Sequence, residues 1–168
     1  LSVALNSLRK QLDPWLNTDR QYIALNPDRP IQVDARRFAQ TTRESLASSG
    51  LLAAPQAEAL ATAVSLYRGE FLAGFSIRQA PDFEAWVLLE QERYLQLRLE
   101  ALAALIDFHL SQGQYAQGIG FAQQLLQLDP LHELAHRQLM VLYAQNGQRS
   151  QALAQFEQCA ELLAAELG

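Results

Sequence analysis

The C-terminal half of the sequence repeats itself with a period of about 34 residues. Gly113 and Gly147 are separated by this interval, and five further pairs keep the same offset: Leu105 with Leu139, His109 with Tyr143, Gly118 with Ala152, Ala122 with Phe156, and Leu125 with Cys159. A unit of this size has an apolar face that it cannot bury alone, so neighbouring units must stack against each other. The period therefore predicts a stack of similar helical units.

The length of the period is that of the tetratricopeptide repeat, a pair of antiparallel helices. That repeat has small residues where Gly118 and Ala152 lie, an aromatic residue where Phe156 lies, and a helix-ending proline where Pro130 lies. Cys159 then occupies a small-residue packing position, and we interpret it as structural because free cysteine behaves as a small hydrophobe. The predicted fold class is all-α, with stacked tetratricopeptide-like helical hairpins.

Three further helices are predicted before the repeat, at about residues 34–47, 55–69 and 82–112. Asp34 and Asp82 are N-cap residues, and Pro55 suits the first helical position. The third helix would be roughly 43 Å long, and the sequence leaves open whether it breaks in its charge-dense segment 90–94. The glycine-punctuated segment 67–75 is expected to be a packed loop with its three aromatic side chains on the helices.

Residues 1–27 have a different pattern. Leu5, Leu8 and Leu12 share one face of a short helix over residues 2–12, which the pair Asp13-Pro14 ends because a residue before proline disfavours the α conformation. Two short runs, 17–20 and 22–25, then indicate a β-hairpin. Strands and irregular structure are about equally compatible with these runs.

Composition and charge exclude several classes of protein. The chain has 168 residues with 49% hydrophobic and 18% charged residues, as in globular proteins, and no apolar run reaches the roughly 18 residues of a membrane span. A single cysteine favours a reducing compartment. Because the sequence begins with Leu1 and has no signal peptide pattern, we expect a piece of a longer protein.

The net charge of −5 opposes binding of the whole chain to a polyanion, but the charge is uneven. Residues 1–50 have seven basic and five acidic side chains (+2), residues 51–110 have four and eight (−4), and residues 111–168 have two and five (−3). Contact with nucleic acid is therefore expected at the N-terminal end.

His132, Glu133 and His136 match the pattern H-E-x-x-H, in which two histidines bind zinc and the glutamate acts as a base. A catalytic zinc needs a third protein ligand; the one remaining histidine is His109, and Glu157 is a possible ligand by its separation alone. Glu157 lies in a packed repeat helix and His109 in the preceding repeat, so we interpret the motif as the first turn of a repeat helix without metal. No nucleophile elbow, phosphate loop or C-x-x-C motif is present, and no cofactor is expected.

Motifs along nearly the whole chain occur in a combination that resembles one known family. They are Asp34-x-x-x-Phe38, Leu66-Tyr67-Arg68-Gly69-x-Phe71-Leu72, Phe83-Glu84-x-Trp86, Asp129-Pro130-Leu131-His132-Glu133-x-Ala135-His136, Gly147-x-x-x-x-Ala152-Leu153 and Leu163-x-x-Glu166-Leu167-Gly168. The sequence is thereby similar to the bacterial transcriptional activator domain of SARP-type and related multidomain regulators. In that family the motif Pro-Leu-x-Glu-x-Ala opens the last repeat, and the two histidines occupy variable positions.

The resemblance implies two parts of the chain. In such regulators this domain directly follows a winged-helix DNA-binding domain, which ends in a recognition helix and a wing hairpin. Segment 2–10 resembles the end of the recognition helix, and segment 17–25 resembles the wing. Residues 1–27 are therefore expected to be the C-terminal remnant of a winged-helix domain, and residues 28–168 the activator domain.

A non-enzymatic regulatory module of a transcriptional activator is the function that the resemblance implies. Its expected partners are DNA in the intact protein, contacted by Asn6, Arg9 and Lys10 on the helix and Arg20 on the wing, and proteins, namely a second copy, neighbouring domains or RNA polymerase. Neither a membrane nor a metal is expected, and the expected location is cytoplasmic. The alternative is a generic tetratricopeptide-type scaffold that binds a peptide in its concave face and is unrelated to DNA. A basic, Asn-rich or Arg-rich concave face would favour it, whereas the C-terminal repeats are acidic.

Overall fold

The computed structural model describes residues 6–7, 10–19, 22–47 and 50–167. The chain divides into two units between Val33 and Asp34. The first unit contains the predicted hairpin, and the second contains the predicted helices. The predicted boundary at residue 27 lies inside the first unit.

The N-terminal unit consists of helical residues and a two-stranded sheet. Residues 6–7 and 10–12 are helical, as predicted for this part of segment 2–12. Strands β1 (Leu16–Thr18) and β2 (Ile23–Leu25) pair antiparallel, with Leu16 opposite Leu25. The predicted hairpin is therefore present, with strands of only three residues each.

Between Asp34 and Leu167 the described residues form six helices. They are α1 (Asp34–Leu46), α2 (Ala54–Leu66), α3 (Pro81–Ser111), α4 (Tyr115–Leu128), α5 (Glu133–Gln145) and α6 (Arg149–Leu167). The all-α, tetratricopeptide-like fold class is thus confirmed, and α1 and α2 begin within one residue of their expected positions. Helix α3 begins at Pro81 with Ala80 as its N-cap, so the prediction of Asp82 as the N-cap was wrong. Asp82 lies in the first turn instead, because the fixed φ angle of Pro81 already suits the first helical position.

Helix α3 is continuous through segment 90–94, for which the sequence left open whether the helix breaks. Pairs of side chains one helical turn apart support it there: Arg93 forms a salt bridge with Glu90, and Gln96 Nε2 donates to Glu92 Oε1 at 2.8 Å. Such pairs stabilise a helix because residues three or four apart are neighbours on its surface. At 31 residues, α3 is about 46 Å long.

The repeat frame appears directly in the ends of α3 and α5. Gly113 and Gly147 follow these helices with positive φ angles of 67° and 78°, a conformation that glycine adopts without a steric penalty. The next amide closes each helix end in the same way: Gln114 N donates to His109 O at 2.9 Å, and Gln148 N donates to Tyr143 O at 2.8 Å. The repeat identified in the sequence is therefore a structural repeat.

A close approach of helices occurs at Gly118 in α4. A Cβ atom added there would lie 2.6 Å from Leu142 Cδ2 in α5 and 3.4 Å from His109 Cβ in α3. Gly118 is buried, whereas the repeat-equivalent Ala152 in α6 is half-buried. Cys159, the equivalent of buried Leu125, is also buried, in agreement with a structural role.

Two apolar clusters hold the second unit together. The larger one joins α2, α3, α4 and α5, and its fully buried side chains are Leu60, Leu102, Leu105, Ile106, Leu125, Leu139 and Leu142. The smaller one contains Phe38 of α1 and Tyr94 of α3, with Tyr67 and Phe71 packed against it. Burial of each large apolar side chain stabilises the fold by about 1.5–3 kcal/mol.

The loop after α2 is only partly packed as predicted. Tyr67 and Phe71 are half-buried, and the Tyr67 ring meets Phe38 edge-on with a centroid distance of 5.6 Å. Phe75 also lies on a helix, since its ring meets Phe83 of α3 with a centroid distance of 5.9 Å, but it is 54% exposed. The chain turns at Gly74, which has a φ of 75°, and this turn carries Phe75 to the edge of the Phe83 ring rather than into the core.

Candidate functional site

The residues predicted to contact DNA lie in the N-terminal unit. Asn6 and Lys10 are both helical and exposed. Arg9 and Arg20 lie outside the described residues. The structure thus leaves two of the four side chains accessible to a partner.

Hydrogen bonds at both ends of the hairpin hold the two strands together. Asp19 N donates to Tyr22 O at 3.1 Å, and Tyr22 N donates to Asp19 Oδ1 at 2.9 Å. At the other end of the hairpin, Asn26 N donates to Trp15 O at 2.8 Å and Asn26 Nδ2 donates to Pro14 O at 3.0 Å. These bonds join the two strands at both ends of the pairing between β1 and β2.

The N-terminal unit exposes apolar side chains on its hairpin. Trp15, Ile23 and Leu25 are 38%, 50% and 62% exposed. A cavity of about 420 Å³ is lined mainly by apolar residues, among them Trp15, Leu25, Leu12 and Ile31. A concentration of exposed apolar side chains in so small a unit is typical of a surface that another element covers.

The second unit has a polar groove between α4, α5 and α6. Its volume is about 470 Å³, and no lysine, arginine, aspartate or glutamate of the described chain lines it. Four glutamines do, at positions 123, 127, 155 and 158, and Gln123 Nε2 donates to the Tyr143 hydroxyl at 2.9 Å. Such a groove presents uncharged donors and acceptors, which suit the amide groups of a peptide.

The bottom of this groove is a buried polar pair that joins α5 to α6. His136 and Gln155 are 3% and 8% exposed, and Gln155 Nε2 donates to His136 Nδ1 at 2.7 Å. On its other side His136 Nε2 donates to Pro130 O at 2.8 Å. The histidine is therefore the tautomer with hydrogen on Nε2, and both ring nitrogens are satisfied within the protein.

The H-E-x-x-H motif consequently has a structural role. His132 is the N-cap of α5, and its Nδ1 accepts a hydrogen bond from Ala135 N at 3.2 Å. Glu133 is exposed in the first turn, where its negative charge favours the helix N-terminus. Among the described residues, no group of three or more histidine, cysteine, aspartate or glutamate side chains could hold a metal ion.

The pairing of His136 with Gln155 was not predicted from the sequence. Gln155 is the repeat equivalent of Phe121, so the second repeat has a glutamine where the first repeat has an apolar side chain. A polar residue at a packing position needs a partner, because a buried unsatisfied amide costs about 1–3 kcal/mol. The difference between Phe121 and Gln155 at equivalent positions of the two repeats was the sequence signal that could have indicated a buried polar pair.

An aromatic and cationic cluster surrounds Tyr67 at the other end of the second unit. The guanidinium carbon of Arg98 lies 4.5 Å from the centroid of the Tyr67 ring. Burial raises the pKa of the Tyr67 hydroxyl above its ordinary value; the positive charge of Arg98 opposes this effect, and the negative charge of Glu70 adds to it.

In the described part of the chain, no helix combines the length and the apolar character that a membrane crossing requires.

Comparison with known proteins supplies a family and one relative. The model of the family described as "Bacterial transcriptional activator domain" matches residues 33–168. The regulatory protein AfsR of Streptomyces coelicolor is 31% identical over 109 residues, which are 65% of this chain and 10% of that protein. The chain thus corresponds to about a tenth of the length of this relative. No solved structure matches.

Proposed function

Because this chain belongs to the bacterial transcriptional activator domain family over residues 33–168, we propose that it is a non-enzymatic regulatory module of a transcriptional activator. In this proposal the module supports DNA binding by an adjacent winged-helix domain, through contacts with a second copy, with neighbouring domains or with RNA polymerase. The family match is the observation that carries the proposal. The proposed location is the cytoplasm, because a bacterial activator acts where the DNA is.

Residues 1–27 are proposed to be the end of that winged-helix domain. The helical residues 6–7 and 10–12, followed by the antiparallel pair β1–β2, support this assignment because a recognition helix and a wing hairpin have this order. The exposed apolar side chains of Trp15, Ile23 and Leu25 also support it. A small hairpin needs a further apolar layer for independent stability, and the other elements of a winged helix would supply one.

DNA contact is proposed for Asn6, Arg9, Lys10 and Arg20. Residues 1–50 have a balance of +2, whereas the remaining two thirds of the chain have −7 in total. Cationic side chains at phosphates provide most of the affinity for DNA, and amide side chains read base edges. The described residues Asn6 and Lys10 are exposed, as a contact requires.

A gel-shift titration across salt concentrations tests the proposal. A longer native protein with the residues preceding Leu1 is expected to bind duplex DNA, and the 168-residue chain is expected to bind weakly or not at all. In the longer protein, Arg9→Ala or Arg20→Ala should weaken binding and reduce the slope of log affinity against log salt by about 1. Arg137→Ala is the matched control, since Arg137 is exposed on α5 of the other unit.

A second function is favoured by one observation, the uncharged glutamine-lined groove between α4, α5 and α6. A scaffold that binds a peptide through its amide groups would use such a surface. If the longer protein showed no duplex binding, or if Arg9→Ala and Arg20→Ala bound like Arg137→Ala, the peptide-binding scaffold would replace the activator function.

A further inference from the structure

Helix α6 has an apolar stripe on its outer side. The stripe consists of Leu153, Phe156, Ala160 and Leu163, and their spacing of three, four and three residues places them on one side of the helix. Leu153 and Phe156 are 66% and 61% exposed, Ala160 is exposed, and Leu163 is half-buried. Large apolar side chains are thus exposed on a face of α6 that no described element covers, whereas an uncovered face of a repeat stack is normally polar.

The positions of the first repeat that are equivalent to Leu153 and Phe156 are buried. Leu153 and Phe156 are the repeat equivalents of Ile119 and Ala122 in α4, which are 9% and 0% exposed. Helix α5 packs on α4 closely enough that Leu142 contacts the backbone at Gly118. The outer stripe of α6 is therefore equivalent to a face that a neighbouring helix covers in the first repeat.

The length of α6 argues against a covering helix from a third repeat that continues in register. Helix α4 ends at Leu128, two residues before Pro130, and the equivalent of Pro130 in the next repeat is Ala164. Helix α6 does not turn there but continues to Leu167. The additional turn adds Leu163 to the stripe, so the chain lengthens the apolar face at the point where a repeat would fold back.

We propose that this stripe is a self-association surface, on which α6 of one molecule pairs antiparallel with α6 of a second copy. With the two-fold axis near residue 158, Phe156 lies opposite Ala160 and Leu153 lies opposite Leu163. The large Phe156 side chain then faces a small one, and two leucines of equal size face each other. Arg149, at the start of one helix, lies beside the C-terminal end of the other, where the helix dipole favours a cation.

The position of Arg149 and the volumes of the stripe side chains favour the antiparallel direction, whereas Glu157, next to the two-fold axis, is near its own copy in either direction. A parallel arrangement would place Arg149 against its own copy and Phe156 against its own copy, which combines like charges with a mismatch of volume. The antiparallel arrangement avoids both. This inference rests on the proposed function, since it specifies one of the contacts named there, and its test uses no DNA, so that its failure leaves DNA binding untouched.

Sedimentation equilibrium of the 168-residue chain tests the surface. A seam of about two heptads is small, so we expect a reversible dimer with a dissociation constant of about 10–100 μM. Leu153→Glu should raise this constant at least about tenfold, because a carboxylate would be desolvated in the seam. Leu88→Glu is the matched control: Leu88 has the same 66% exposure but lies on α3, and its replacement should leave the dimer unchanged.

Circular dichroism establishes that the variants are folded, and Ala160→Glu replaces Leu153→Glu if the latter is not. A chain that is monomeric at millimolar concentration overturns the proposal. So does a dimer that persists in both stripe variants, or one that Leu88→Glu also dissociates.

Disulfide formation tests the direction. In a background with Cys159→Ala, a mixture of the Phe156→Cys and Ala160→Cys chains should form a mixed disulfide on oxidation, because the two positions face each other only in an antiparallel pair. Preferential formation of a disulfide between two Phe156→Cys chains would overturn the antiparallel arrangement.

Discussion

Replacement of Gly118 by alanine measures how closely α4 approaches α5. The added methyl would lie 2.6 Å from Leu142 Cδ2, whereas carbon atoms in contact prefer about 3.5–4.0 Å. Leu142 is fully buried and cannot move into solvent. Overpacking of this kind costs about 1–3 kcal/mol. Alanine is more favourable than glycine in a helix interior by about 1 kcal/mol, so the free energy of unfolding should fall by about 0–2 kcal/mol in total.

Gly120 in the same helix provides the control. A Cβ atom added there meets nothing within 4 Å, so Gly120→Ala should stabilise the protein by about 1 kcal/mol. The difference between the two variants removes the common effect of helix propensity and leaves about 1–3 kcal/mol for the close contact. In a chain of this size each kcal/mol shifts the melting temperature by about 2–4 °C.

Urea denaturation followed by far-UV circular dichroism measures the free energies of unfolding, and a double-mutant cycle with Leu142→Ala identifies the contact. In the Leu142→Ala background, Gly118→Ala should become stabilising, like Gly120→Ala. If Gly118→Ala and Gly120→Ala stabilised the parent equally, the close approach of the two helices, and with it the small-residue position of the repeat, would be refuted.

Two further predictions concern buried polar groups. His136→Ala should lower the free energy of unfolding, measured by urea denaturation, by about 2–4 kcal/mol. The reason is that the variant leaves Gln155 Nε2 and Pro130 O without partners and opens a cavity. Stoichiometric zinc in the purified parent, lost in this variant together with peptidase activity, would contradict the structural role. Because the folded state raises the pKa of Tyr67 above its ordinary value of 10.0, the stabilisation by its neutral form is complete below that pH and is lost as the pH rises through the folded-state pKa. Thermal melts between neutral and strongly alkaline pH should therefore show a smaller alkaline loss of stability for Tyr67→Phe than for the parent, and equal losses would exclude the burial effect.

Sequence patterns predicted the fold well where the physical cause was local. The repeat offset located Gly113 and Gly147 because both need a positive φ after a helix, and a backbone requirement of this kind is visible in the residue type. Helix starts at Asp34 and near Pro55 were equally accessible, since capping depends on a few adjacent residues. The continuity of α3 was not accessible in this way. It is supported by the salt bridge between Arg93 and Glu90 and by the hydrogen bond from Gln96 to Glu92, and the charge density of the segment alone does not reveal these pairs.

The candidate surfaces were less accessible from the sequence. Leu153 and Phe156 have the spacing of core residues, and only the structure shows that no described helix covers them. The bond between His136 and Gln155 joins two separate helices, a pairing that no local pattern contains. The exposure of Phe75 was not predicted for a different reason: it depends on the direction in which the chain turns at Gly74, which the residue types alone do not specify.

The unbroken α3 gives the second unit a mechanical property. Tyr94 of this helix belongs to the smaller apolar cluster, and Leu102, Leu105 and Ile106 belong to the larger one, so one rod anchors both. Neither cluster can open without loss of contacts along α3, so we expect the unit to unfold as one cooperative block rather than as two separate foldons. We therefore expect a displacement of α1 to be transmitted to the repeats along α3, a single helix about 46 Å long.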